Sequence, residues 1–163
     1  MSHYRFETRP TPCVVCRADV DQPLDVFAAL AAGPDMIAAA LADVSPAARD
    51  GWTPREVAAH LADLEVHRGV RVRRILAEDR PNIEPLDQDA WANALHTTER
   101  DVTYSLETYT TNRHSILEIL RLASEAALSR TYQHNVFGRM TLGALMDHTT
   151  HHDLAHLRQI LGD

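Results

Sequence analysis

The segment that most restricts the fold of this chain is Thr53-Pro54-Arg55-Glu56 and the run that follows it. Thr at an N-cap, Pro at the first helical position and Glu at the third make a capping box. The Thr oxygen and the Glu carboxylate each satisfy a backbone N–H that the first helical turn leaves without a partner. Val57, Leu61, Leu64, Val72, Ile75 and Leu76 then recur near helical spacing until Pro81 stops the run. The spacing predicts a helix from the Thr53 cap to about Glu78. Arg68, Arg71, Arg73 and Arg74 fall toward its C-terminal end, where positive charge complements the helix dipole. A helix with one apolar stripe must bury it against another element, so the rest of the chain is read for partners.

Three further segments qualify. Leu24–Leu41 carries Leu24, Phe27, Leu30, Met36, Ile37 and Leu41, but Gly33-Pro34 predicts a break or kink inside it. Thr97–Leu128 places Leu106, Tyr109, Arg113, Ile116, Leu117 and Leu120 on one broad face. Thr141 is the N-cap of a last helix that ends near Leu161, with Gly162 beyond it. Residues 79–95, with Pro81, Pro85 and Asp87-Gln88-Asp89, read as a loop anchored by Trp91, long enough to cross over the bundle. Residues 129–140 connect to the last helix. No strand set is evident, and Val14-Val15 is too short to argue a sheet. The expectation is an all-α, four-helix bundle over residues 23–163, preceded by an irregular segment over 1–22. A chain of 163 residues, 45% hydrophobic and 24% charged, can bury the single core this requires.

Charge narrows the function. The net charge of -7 argues against a general binder of nucleic acid or anionic membrane. All 16 basic residues are Arg, which excludes a Schiff-base lysine and a Walker-type phosphate lysine. The start MSHYRFETRP lacks the basic and apolar regions of a signal peptide, and no apolar run is long enough to span a membrane. A cytoplasmic location is therefore expected. Cys13 and Cys16 have CxxC spacing, but a zinc knuckle wants a second ligand pair and a redox motif wants a strand-to-helix setting. They read as structural thiols.

Histidine is the residue type that points to chemistry, with 10 in the chain and four between positions 148 and 156. His60 shares the inward face of its helix with Val57, Leu61 and Leu64. Taken alone, it reads as a core His bonded to a carbonyl or a side chain. The last helix changes that reading. Between Leu142, Leu145, Met146 and Ile160, its inward face carries Thr149, His152 and His156. His152 and His156 are four apart, so both imidazoles can reach one metal ion, as in paired-His helices. A third nitrogen from His60 would complete a three-His site. His148 continues the same i, i+4 series and competes with His156, whereas His67 sits roughly 10 Å further along its helix. His151 points about 100° away from His152. A His-rich exposed helix end is the plain alternative.

Gly51-Trp52-Thr53-Pro54-Arg55-Glu56-Val57-Ala58-Ala59-His60-Leu61-Ala62-Asp63 resembles the W-(S/T)-P-x-E-(V/L)-x-x-H-(L/V)-x-(D/E) signature of the DinB/YfiT-like superfamily. His148-Thr149-Thr150-His151-His152-Asp153-Leu154-Ala155-His156-Leu157-Arg158-Gln159-Ile160 resembles its H-x-x-x-H-x-x-Q-(I/L) signature. The region from Ile75 to Pro81 and from Asp87 to Ala92 is similar to the family's centre, so the resemblance covers roughly residues 24–162. It implies a four-helix bundle, a homodimer, and one divalent metal held by His60, His152 and His156. Zn or Ni come first as the metal, with Fe or Mn next. It also implies a small-molecule substrate and either a metal-dependent hydrolase or an S-transferase using a low-molecular-weight thiol. A non-catalytic metal-binding or stress-response dimer with a structural His site is the alternative. Three imidazoles leave coordination positions open, as catalytic sites do, for a water or a thiolate. Glu56 reads as the capping-box carboxylate, Asp63 and Asp153 as exposed or as orienting a ligand imidazole, and Arg113 as the partner of a core carboxylate or an anion.

Overall fold

The computed structural model describes residues 8–13, 19–44 and 51–162. Its elements, in order, are β1 (Thr8–Pro12), β2 (Asp19–Pro23), α1 (Val26–Asp43), α2 (Pro54–Ala77), β3 (Asn82–Ile83), α3 (Gln88–Ala94), α4 (Val102–Leu122), β4 (Thr131–His134), β5 (Gly138–Thr141) and α5 (Leu142–Leu161), with a 3-10 turn at Glu125–Ser129 between α4 and β4. The start of α2 has both halves of the capping box: the Thr53 backbone N–H donates to Glu56 Oε2 at 2.8 Å and the Glu56 N–H donates to Thr53 Oγ1 at 3.3 Å. Helix α5 begins on the Thr141 side chain, which accepts from Ala144 N–H, and ends at Gly162 in the left-handed region with φ 79°.

Helices α2, α4, α1 and α5 pack in a ring, each on the next, and α5 closes back on α2. Two apolar clusters stack along the bundle. One holds Leu30, Val72, Ile75, Ile116, Leu120, Leu142 and Met146, and the other holds Met36, Ile37, Val57, Leu61, Tyr109, Leu157 and Ile160. Helices α1 and α5 run from the first cluster to the second, while α2 and α4 run from the second to the first. Neighbours α2 and α4 are therefore parallel, and residues 78–101 must carry the chain back along the bundle. The long crossover expected from the sequence is this segment.

Several local expectations change. Helix α1 continues through Gly33-Pro34 without a break. Pro34 has no N–H to give the Leu30 carbonyl, but Arg113 Nη1 donates to that oxygen at 3.0 Å. A Cβ on Gly33 would lie 3.0 Å from Asp153 Oδ2 and 3.1 Å from Arg113 Nη1, so glycine is what lets the guanidinium come this close. The segment 79–95 holds the strand β3 and the short helix α3, capped by Asp87. Helix α4 spans Val102–Leu122 and not Thr97–Leu128, because Asp101 caps its start, accepting from Thr103 and Tyr104, and residues 125–129 tighten into the 3-10 turn.

Strands are also present where no strand period was seen. β1 and β2 pair antiparallel within the N-terminal segment that was read as irregular. β3 pairs parallel with β4, and β4 pairs antiparallel with β5, making a three-stranded sheet where a plain connection was expected. At two to five residues each, these strands are too short for a repeating pattern. By length and mean hydropathy (1.5) alone, Val26–Asp43 would be long and apolar enough to cross a membrane. Here its Ala29, Leu30, Met36, Ile37 and Ala40 are buried in the bundle core.

Candidate metal centre

Between the apolar clusters lies a layer of buried polar side chains, and α5 serves it from two sides. On one side stand Glu65, Arg68, Arg113 and Asp153. Arg113 is fully buried and uses its whole fork: Nε donates to Glu65 Oε1 at 2.6 Å, Nη2 to Glu65 Oε2 at 3.0 Å and to Asp153 Oδ1 at 3.3 Å, and Nη1 to Asp153 Oδ2 at 2.7 Å and to Leu30 O. Arg68 adds a second short contact to Glu65. Burial alone would raise the Glu65 pKa, but the Arg113 and Arg68 guanidiniums hold it below the usual carboxylate range. Burial works against the charge on Arg113 too, and Asp153 and Glu65 outweigh it, raising its pKa. Arg113 is thus the partner of core carboxylates, and Asp153 belongs to this ion cluster.

On the other side, His60 from α2 meets His152 and His156 from α5. His60 Nε2 lies 3.3 Å from His152 Nε2, and His156 Nε2 lies 3.2 Å from the same atom. One nitrogen from each of the three lies within 4.8 Å of the others, a grouping able to hold a metal ion. The capping box sets the register that turns His60 inward, where it is 5% exposed and has Trp52 against its edge at 4.9 Å. Gln159 Oε1 accepts from His156 Nδ1–H at 2.7 Å, which leaves the His156 Nε2 lone pair facing the group.

Burial and mutual repulsion keep these imidazoles neutral. The pKa of His60 falls from 6.5 to about 3, through burial first and then His156 and Arg68. His152 is pushed well below its ordinary value by burial, then by His156 and Arg68. His156 is lowered by burial, partly offset by its bond to Gln159. Neutral imidazole is the form that ligates a metal. His152 Nδ1 is buried with no hydrogen-bond partner, and such an orphan costs about 1–3 kcal/mol. Three convergent nitrogen donors in the uncharged state fit a divalent ion of borderline softness.

The remaining candidates go elsewhere. His148 Nδ1 lies 3.4 Å from Cys13 Sγ, and its ring is 6.2 Å from that of His152, outside the three-nitrogen group. His151 is half-buried, 5.9 Å from the His148 ring. His67 stands 5.9 Å from Trp91. Glu56 is the cap carboxylate, and Asp63 accepts from Arg100 Nη1 at 2.7 Å. Cys13 is buried, while Cys16 and Val14-Val15 lie outside the described residues. Arg68 and Arg71, expected with the helix dipole, turn inward instead.

A cavity of about 290 Å³ opens beside His60 and His152. His60, His152 and His148 form one wall, Leu64, Leu86 and Phe137 supply apolar surface, and Arg71 and His134 complete it. Sequence reasoning missed His134 and gave Arg71 a different task. The signal for His134 is three-dimensional, since parallel pairing of β3 with β4 and the turn after β4 bring it to this wall.

The family model of the DinB superfamily matches residues 15–160. A protein of Oceanobacillus iheyensis named "Putative metal-dependent hydrolase" is 30% identical over 114 residues, 68% of this chain and 65% of that protein. "Putative metal-dependent hydrolase YfiT" of Bacillus subtilis is 28% identical over 115 residues, 68% of this chain and 64% of that protein. The matched region thus spans just under two thirds of the length of these relatives. The solved structure of Bacillus subtilis YfiT, described as a probable metal-dependent hydrolase with an unusual four-helix bundle topology, is similar in fold. It aligns with a TM-score of 0.76 at 24% identity, over 83% of this chain and 81% of that one.

Proposed function

This chain belongs to the DinB superfamily, and from that premise we propose that it is a metal-dependent hydrolase of a small-molecule substrate, with one divalent ion held by His60, His152 and His156. The observation that carries the proposal is the convergence of three neutral imidazole nitrogens within 4.8 Å, from two helices whose ends are set by caps. A bound divalent ion supplies Lewis-acid activation of water or of a scissile carbonyl. The protein's own part is orientation. Gln159 fixes the His156 tautomer, Trp52 braces His60, and Leu64, Leu86 and Phe137 give the cavity an apolar side. Glu56, Asp63 and Asp153 are committed to a cap and to arginines.

Zn or Ni suits the all-nitrogen donor set, with Fe or Mn as alternatives. The bundle over residues 23–163 acts as the functional domain, in the cytoplasm and as a homodimer. The test is metal analysis of untagged protein beside the His60→Ala variant. Roughly one equivalent is expected in the wild type and none in the variant. No uptake after exposure to Zn, Ni, Mn and Fe would overturn the proposal. Ester and amide screens on the loaded protein, with and without an added thiol, then separate hydrolysis from thiol-dependent S-transfer, since the transferase reading requires turnover only when the thiol is present. A loaded protein inert in both screens, whose metal-free form unfolds, would favour the structural-site alternative.

A further inference from the structure

Two basic residues sit deep in this protein with opposite accounts of their charge. Arg113 meets two carboxylates and spends every N–H. Arg71 is half-buried on the wall of the cavity beside the imidazoles, and no carboxylate among the described residues pairs with it. Its Nη2 donates to the Glu84 backbone carbonyl at 2.6 Å, which fixes the guanidinium in place. Its Nε–H is buried and has no acceptor among the described residues. A guanidinium partly removed from water is normally matched by an anion, and among the described residues no carboxylate pairs with this one.

His134 stands on the same wall. Its Nδ1 accepts the backbone N–H groups of Val136 at 3.1 Å and Phe137 at 3.3 Å. Those two bonds require the lone pair on Nδ1, so the ring proton sits on Nε2 and His134 is a donor to whatever lies beyond it. The other lining residues are Leu64, Pro85, Leu86, Gln88, Val136, Phe137 and the imidazoles of His60, His148 and His152; none is acidic. Arg71 is felt across this wall: after burial it is the charge that most lowers the pKa of His134, with Glu84 opposing it, and after burial, Arg68 and His151 it also lowers that of His148. Arg71 is the permanently charged side chain of the lining, and the Glu84 carboxylate stands outside that lining, held by Asn135.

We propose that the cavity beside His60 and His152 is built for a small organic carboxylate, with the carboxylate held by the Arg71 guanidinium and the His134 Nε2–H and the apolar portion lying on Leu64, Leu86 and Phe137. A planar two-oxygen anion matches a guanidinium and one further N–H. The cavity is at the small end for a ligand site, which limits the substrate to a compact molecule. This assignment rests on the metal-site reading in placing the reacting bond between the carboxylate anchor and the imidazoles.

The test is calorimetric titration of phenylacetate and of its uncharged analogue phenylacetamide into wild-type, Arg71→Gln and Arg71→Lys chains, each metal-loaded and metal-free. Thermal unfolding of each variant establishes that it is folded. Phenylacetate should bind at least about tenfold more tightly than the amide in both wild-type forms. That preference should vanish in Arg71→Gln and survive in reduced form in Arg71→Lys, while phenylacetamide binding stays constant. Equal binding of acid and amide by the wild type would overturn the proposal. So would a preference that needs the metal and ignores Arg71→Gln, because the carboxylate would then be on the ion. A chain that takes up no metal yet keeps an Arg71-dependent preference would refute the metal reading and leave the anion subsite standing.

Discussion

His152 and Asp153 are consecutive on α5, yet they enter polar clusters of opposite kinds. Asp153 joins a closed one, where the five N–H groups of Arg113 all have acceptors and Glu65 is held by two guanidiniums. His152 joins an open one, where nitrogens face nitrogens and its own Nδ1 has no partner. Asp153 is buried and His152 half-buried, but the larger difference between them lies in their partners. Satisfaction is what separates them: the Arg113 set has every N–H matched by an acceptor, whereas the imidazole set has only nitrogen-to-nitrogen contacts and an orphaned Nδ1.

The contrast can be broken most forcefully at Arg113. Arg113→Ala strands Glu65 and Asp153 in the interior and should cost about 3–5 kcal/mol, read as a large fall in the denaturation midpoint. A loss below about 1 kcal/mol would mean the cluster is not closed as described.

Acid should open the other cluster. In the metal-free chain, His60 has a folded-state pKa of about 3 against 6.5 unfolded, and His152 and His156 are lowered as well. The unfolded chain therefore binds these protons first. Their neutral state favours folding fully above pH 6.5, and that contribution drains away as pH falls from 6.5 toward the folded values. Each such imidazole removes up to about 1.4 kcal/mol per pH unit in that window. Melting scans from pH 8 to pH 4 read the slope, and a flat profile across that range would show the imidazoles to be solvated.

The smallest effect is expected at His152 itself. His152→Ala should abolish metal uptake while changing the stability of the metal-free chain by about 1 kcal/mol, because the lost contacts are offset by removal of an orphaned nitrogen. A loss matching that of Arg113→Ala would place His152 in the structural class and erase the distinction.

The parts of this design that were legible in the sequence are those encoded within a few residues. Thr53, Glu56, Thr141 and Gly162 set the ends of two helices, and helical arithmetic from those ends brings His60, His152 and His156 to one place. The N-cap at Asp101 is local as well, yet the expected start of α4 fell at Thr97, ahead of that cap. What stayed illegible depends on distant groups. Arg71 resembles its arginine neighbours until β3 and β4 pair and enclose it, and His134 becomes a directed donor only through the turn that follows it. The unbroken course of α1 was hidden for the same reason, since its remedy lies 83 residues away on α4.

That remedy bears on how the bundle assembles. The Leu30 carbonyl cannot be answered from within α1, so the middle of this helix is incomplete until α4 docks with its guanidinium already neutralised by α2 and α5. The continuity of α1 thus draws on a side chain of α4 that α2 and α5 hold in place. A proline that would ordinarily divide the helix instead makes its formation conditional on the same assembly step that brings α2 and α5 together and creates the histidine group. A partly folded chain that has one should then have the other.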